Sequence, residues 1–329
     1  RPRPPPRRRR RSAPTRPRAP TAKTTRESTQ TRRSLRRSLL VSFTSVALLS
    51  VLLLGVLNYV QARGLLTEAI EDQLVNQQSA KARAIRNGVD RLEQNVVVAA
   101  QSGGIADAII QFSAAYGELN EDGPITAEES AKLDEFYLAA RSAVTELGFE
   151  SLLTDDSGPE SNAGRYLQYH YIVDNPHEDR SRLAAAPGDD SAYGLVHQDL
   201  HPRLVELRSQ LGFGDLLLVD TAGNIVYSTN KRVDFATNAR TGPYRNTGMG
   251  QAVTSRIAAA PVGDAVFVDF ELYLPAVGKP ALFVAAAVRD EARTVGAFLV
   301  EIPIEALNNL TVGDGVWEAK GLGDTGEIY

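Results

Sequence analysis

The chain predicts an α+β protein with one long apolar helix near its start, and three observations carry that prediction. Leu39 to Val60 runs about 22 residues without a charge. From Gln61 to about Ser102 apolar residues recur at mixed spacings of three and four, the signature of a helix. After Gly214 the pattern changes to short apolar runs separated by turns. Two runs come before a helix-containing loop and three after it, which makes a five-stranded antiparallel sheet flanked by helices.

The apolar stretch, LLVSFTSVALLSVLLLGVLNYV, has Asn58 as its only strongly polar side chain. As a helix it is roughly 33 Å long, enough to cross a hydrocarbon core of about 30 Å. Ser42, Thr44, Ser45 and Ser50 can return their hydroxyls to the helix backbone, and Tyr59 suits the interface. A cleaved signal peptide would have an apolar region of about 7–15 residues and a small-residue cleavage site. This stretch is longer and NYVQARG is a poor site, so residues 38–60 are expected to be an uncleaved transmembrane helix.

Charge orients it. Residues 1–37 hold 15 Lys and Arg against the single acid Glu27, whereas the remainder holds 21 basic and 39 acidic residues. The basic flank is expected in the cytoplasm and residues 61–329 outside it, at the plasma membrane. Arg, Pro, Ser and Thr dominate the first 37 residues, which offer nothing to a core and are expected to be a disordered cytoplasmic tail. No aromatic residue is interleaved there for stacking on bases, so the tail reads as a topology signal and not as a nucleic-acid binder.

With 43% apolar residues the exported part can bury a core, and with no cysteine it has neither disulfides, thiolate metal sites nor a Cys nucleophile. Residues 61–147 read as a long stalk helix followed by a helical hairpin. Gly103-Gly104 breaks the stalk, Ile105–Tyr116 and Ala127–Leu147 are two further helices, and Thr126 with Glu129 forms a capping box. The stalk's apolar stripe either packs on its own domain or forms a seam with a second copy, and a homodimer is expected.

Residues 148–192 read as loop-rich, with an aromatic island at Tyr166, Tyr169, His170 and Tyr171. Tyr193–Leu211 is helical, with Pro202 expected to disturb it. DLLLVD and IVYST form a hairpin across TAGN, and a short helix lies near Met249–Ile257. AVFVDFELYL, ALFVAAAVR and RTVGAFLVEIPI are the last three strands, and Ile304–Leu310 a short exit helix. In the first of the three, Val266, Val268, Phe270 and Leu272 alternate with Phe267, Asp269, Glu271 and Tyr273. Asp269 inside this apolar strand is expected to be a buried carboxylate that meets either a cationic ligand or Arg232 or Arg245.

A membrane-emergent helix, a hairpin, a helix-containing loop and three antiparallel strands resemble the layout of an extracytoplasmic PAS-like Cache module. YLQYHYIVDNP, GDLLLVDTAGNIVYSTNKRVDFATN, GPYRNTGMGQAV and FVDFELYLPAVGKPALFVAAAV are similar to the membrane-distal half of double Cache sensors. Such sensors occur in chemoreceptors, sensor kinases and class III adenylate/guanylate cyclases, and the YLQYHY and VDF stretches look most like those of cyclase-linked sensors. On this resemblance residues 148–310 are the distal sensor module, and 311–329 are a linker with the start of a truncated proximal module. The resemblance implies a small-molecule ligand, no cofactor, and a second transmembrane helix, a HAMP linker and a cytoplasmic effector beyond Tyr329.

The resemblance also implies ligand-binding positions. Asp269 and Tyr273 fall on the strand that commonly faces the ligand, and Tyr244 and Arg245 in the loop that often lids it. Tyr227, Tyr169 and His170 complete the candidate set. The family's amino-acid pattern needs an Arg–Trp pair upstream. The only tryptophan, Trp317, lies after the sheet, so an amino-acid ligand is not supported.

Other motifs reduce to structure. Gly321-Leu-Gly323-Asp-Thr-Gly326 matches a dinucleotide fingerprint but lacks the strand before it and the helix after it. His197 and His201 lie four apart on a helix but have no evident third ligand, with His170, His177 and Asp199 the only guesses, so they read as packing or surface histidines and no metal is expected. No acid/base pair with a nucleophile is present, so any enzyme activity would belong to a cyclase or kinase domain outside this chain. Two competing readings are a non-sensing dimerisation spacer and an anchored exported enzyme.

Overall fold

The computed structural model describes residues 30–122, 125–149, 158–256 and 263–305. Trp317, the glycine motif at 321–326, the proximal-module segment and most of the expected exit helix lie outside them, as do the first 29 residues. The chain divides into two compact units, Arg1–Asn76 and Gln77–Tyr329.

Helix α1, Gln30–Ala100, is continuous through Gly55 and Gly64. It starts inside the segment read from sequence as a disordered tail, so residues 30–37 are helical. In the first unit the apolar side chains Leu39 to Val60 are all exposed, and this part of α1 is long and apolar enough to cross a membrane. Thr44 and Ser50 bond back to Leu40 and Val46 carbonyls at 2.8 Å, which satisfies their hydroxyls within the helix.

In the second unit α1 contributes Val96, Ala99 and Ala100 to a core and stops before Gly103. Helices α2 (Gly103–Asp122) and α3 (Ala127–Glu146) follow. The capping box at Thr126 and Glu129 is present: Glu129 N donates to Thr126 Oγ1 at 3.2 Å and Thr126 N to Glu129 Oε2 at 2.8 Å. The segment expected to be loop holds α4, Asn162–Gln168, capped by Ser161, and a π-helical turn at Tyr169–Val173. Gly164 lets α4 approach the chain closely, since a Cβ there would lie 2.6 Å from the Ala236 carbonyl oxygen. Helix α5, Ala192–Leu211, runs through Pro202. The ring sits on the exposed side, and burial of His197, His201 and Leu204 on the other side offsets a proline cost of about 3 kcal/mol.

Strands β1 (Asp215–Asp220), β2 (Ile225–Ser228), β3 (Ala265–Tyr273), β4 (Lys279–Asp290) and β5 (Arg293–Ile302) form one antiparallel sheet in the order β2-β1-β5-β4-β3. Between β2 and β3 lie a short helix, α6 (Gly248–Gln251), and a π-helical turn. The central strands alternate between two cores. Leu216, Leu218, Val284, Ala286, Phe298 and Val300 join α2 and α5 on one face. Leu217, Val219, Phe283, Ala285 and Leu299 face the other way, under Ala239, Tyr244 and Met249 of the loop and α6. Both faces are covered, so these strands read as continuous apolar runs.

Strand β3 departs from the expected alternation. Its register against β4 shifts between Val268 and Glu271. The extra residue changes the parity, so Val268 and Tyr273 both enter the second core although they lie five positions apart, a spacing that strict alternation would put on opposite faces. Asp269 and Phe270 are turned out to solvent at the bulge. Asp269 is therefore not a buried carboxylate, and its Oδ1 accepts from the Phe270 amide at 2.8 Å.

Candidate functional site

A cavity of about 250 Å³ lies in the second unit between α3 and three later segments. Half of its wall is α3 and its cap residue: Phe136, Tyr137, Ala140, Arg141, Ala143, Val144 and Leu147. The opposite wall is Arg180, Arg232, Val233, Tyr244 and the turn from Leu274 to Val277. None of the described residues that line it is acidic. Leu133 is the one fully buried residue of α3, so the helix is held mainly through side-chain ties along one edge. Arg165 donates to Asp134 Oδ1 at 2.7 Å and to Ser130 Oγ at 2.6 Å. The Tyr137 hydroxyl donates to Gln168 Oε1.

Gln168, fully buried at the end of α4, joins the two walls. Its Nε2 donates to the Val233 carbonyl at 3.0 Å and to the Phe235 carbonyl at 2.6 Å, while its oxygen takes the Tyr137 proton. Arg232 is paired with Glu301 at 2.6 Å across the base of the site. Arg180 lies half-buried, its guanidinium 5.8 Å from the Phe136 ring centre and its Nη1 3.4 Å from the Lys231 carbonyl. Burial lowers its pKa, and no carboxylate among the described residues pairs with it.

Behind the cavity sits Asp234. Tyr273 donates to its Oδ2 at 2.7 Å, and Oδ1 has no hydrogen-bond partner among the described residues. Burial, then the Asp215 carboxylate, push its pKa up to about 6, against the hydrogen bond from Tyr273 and the charge of Arg232. Buried Asp215 differs: it accepts from Leu216 N, Thr229 N, Thr229 Oγ1 and Asn230 N, which stitches β1 to the end of β2.

A second buried cluster involves Lys231. Its ammonium lies 4.2 Å from the Tyr227 ring centre, 5.0 Å from Phe235 and 5.9 Å from Tyr171, and it donates to the Ser228 carbonyl. Burial pulls its pKa down to about 7, partly opposed by Asp215. Beside it His197 and His201 stack at 4.4 Å. His201 uses Nδ1 on the Tyr227 hydroxyl at 2.7 Å and Nε2 on the Ser181 carbonyl at 2.8 Å, so both histidines are packing groups of the core. Burial, then the charge of Lys231, lower the His201 pKa to about 3.

The seven residues proposed from sequence scatter over this frame. Tyr244 lines the cavity, and Tyr273 stands behind it with the two rings 6.1 Å apart. Arg245 is exposed and donates to the Gly242 carbonyl at 3.0 Å. Tyr227 belongs to the other core with His201. His170 is buried against Tyr166 and Tyr169, with Nδ1 3.2 Å from the Pro187 carbonyl. Asp269 is exposed at the bulge and lines nothing in the cavity. Sequence reasoning missed Tyr137, Gln168, Arg180, Lys231 and Asp234. Of these Asp234 carried a signal, an acid inside the apolar VDFA stretch.

No family model matches the chain, and no curated protein matches it. Among solved structures, a crystal structure of the V. cholerae histidine kinase DctB sensor domain aligns with 56% of this chain and 60% of that one. The identity is 16% and the TM-score 0.29.

Proposed function

We propose that this chain is the sensor portion of a transmembrane signal-transduction receptor. A small molecule binds in the cavity under α3 and biases an effector on the other side of the membrane. The observation that carries this reading is the cavity's construction. One helix supplies half of the wall yet buries only Leu133 fully, so that wall can shift without dismantling the core. A ligand that fits one position of α3 better than another changes the balance between them by its differential affinity.

The apolar part of α1 supports a membrane anchor, and the charge asymmetry supports a cytoplasmic N-terminus with the second unit outside. The hairpin, helical insertion and three-strand meander support the likeness to a Cache sensor module. We assign the output to a class III cyclase on the resemblance of the YLQYHY and VDF stretches alone. A chemotaxis or histidine-kinase output and a homodimeric assembly fit the same sensor.

The test is hydrogen exchange on the full chain in lipid nanodiscs, with and without compounds from a panel of amines, carboxylates, nucleobases and neutral aromatics. A binder should slow exchange in residues 127–147 more than in the sheet. A panel in which binders protect only surface loops away from α3, or in which Ala140→Trp leaves every binder's affinity unchanged, sinks the cavity as the sensing site.

A further inference from the structure

The cavity wall is largely apolar and carries three arginines, Arg141, Arg180 and Arg232. Phe136, Ala140, Val144 and Leu147 of α3 face Leu274 and Val277 across it. Of the arginines, Arg232 is already neutralised by Glu301 at 2.6 Å, and Arg141 is engaged as well. Among the described residues no carboxylate pairs with Arg180. The acid before it in the chain, Asp179, spends its Oδ1 on the Ser181 amide and hydroxyl at 3.1 and 2.7 Å. Asp234 does not line the cavity and is engaged by Tyr273. What holds Arg180 in place is the Phe136 ring and one long bond to a backbone carbonyl. A half-buried guanidinium beside an aromatic ring, with no described acid on its donors, is a receptor for a planar anion.

We infer that the cavity takes a small monocarboxylate with a hydrocarbon or aromatic body, its carboxylate on Arg180 and its body against the apolar side of α3. This rests on the cavity being the sensing site. A second anionic group on the ligand would meet either the apolar wall or an arginine that is already engaged, which disfavours dicarboxylates. A cationic ligand would meet arginines and, among the described residues, no lining acid. The carboxylate also ties α3 to the opposite wall through Phe136 and Arg180, which couples occupancy to the helix.

The experiment is calorimetric titration of the full chain in nanodiscs with phenylacetate, hexanoate, phenylacetamide, phenethylamine, succinate and phenylphosphonate at pH 7.5. Phenylacetate or hexanoate should bind, with phenylacetamide at least tenfold weaker. Arg180→Gln should weaken the acids by about 10–100-fold and leave the amide unchanged. Arg180→Lys, which keeps the charge and loses the fork, should fall between. The acid-to-amide comparison is made on the wild-type chain, so it stands even if a variant folds poorly. Equal binding of acid and amide, tighter binding of phenethylamine, succinate or phenylphosphonate, or unchanged acid affinity in Arg180→Gln overturns the ligand class while leaving the cavity as a site. Silence of all six compounds overturns the class and the cavity together.

Discussion

The hydroxyl of Tyr273 donates to Asp234 Oδ2 at 2.7 Å, with both side chains buried and the second carboxylate oxygen of Asp234 unpartnered among the described residues. This places a carboxyl that resists ionisation directly behind the cavity. Its pKa stands at about 6 in the folded chain, against about 3.9 for an unperturbed aspartate. Folding therefore takes up a proton between those values. The stabilisation is fully present below about pH 4 and is lost as pH rises through about 6. Asp234→Asn should remove that pH dependence, a difference of about 1–3 kcal/mol in the change of stability between pH 4 and 7.5. Urea unfolding at both pH values measures it, and parallel slopes for variant and wild type would refute the assignment.

Lys231 acts in the opposite sense. Its folded pKa is pulled down to about 7, whereas an unfolded lysine holds its proton to about 10.4. Between those values the unfolded chain binds more protons, so stability rises with pH from about 7 and is lost as pH falls back to it. Lys231→Met, which keeps the apolar stem in the cage of Tyr227, Phe235 and Tyr171, should flatten the curve between pH 7 and 10. The comparison is the pH slope, because the variant also gives up the bond to the Ser228 carbonyl.

Gln168 joins α3 to the opposite wall through three hydrogen bonds in a fully buried setting. Gln168→Ala leaves two carbonyls and the Tyr137 hydroxyl without it, and should cost about 2–4 kcal/mol. Hydrogen exchange should accelerate first in residues 127–146. Global loosening with no head start for α3 would show that Gln168 serves the core and not the cavity.

Asp269→Ala should change stability by less than about 0.5 kcal/mol and leave ligand binding intact, since the side chain is exposed at the bulge. Tyr244→Ala should weaken binding of any cavity ligand severalfold, because the ring is part of the wall. Reversal of this pair would return the site to the strand face proposed from sequence.

Thr126 and Glu129 illustrate what was legible. The capping box is a contract between residues three apart, and its hydrogen bonds need only local geometry. The hairpin and the three-strand run were legible for the same reason: apolar runs of strand length, bounded by turns such as TAGN, specify pairing without knowledge of the rest. The aromatic island was misread as loop because its helicity depends on Ser161 capping and on Tyr169, Tyr171 and Ile172 being buried, which no local period announces.

The chain's order of residues by itself determined the apolar helix, the charge asymmetry, the five strands and the start of α3, because hydrophobic period, turn chemistry and capping act over a few residues. Only the tertiary structure decided which side chains meet at the cavity. A one-residue bulge in β3 carried Asp269 out and Tyr273 in. Residues from Phe136 to Val277, far apart in the chain, close the walls. Whether an arginine has an acid beside it is a property of distant neighbours: Glu301 reaches Arg232 across 69 positions, and no described carboxylate reaches Arg180. Burial and charge pairing are set by those long-range encounters, and it is they that separate a structural arginine from one left to hold a ligand.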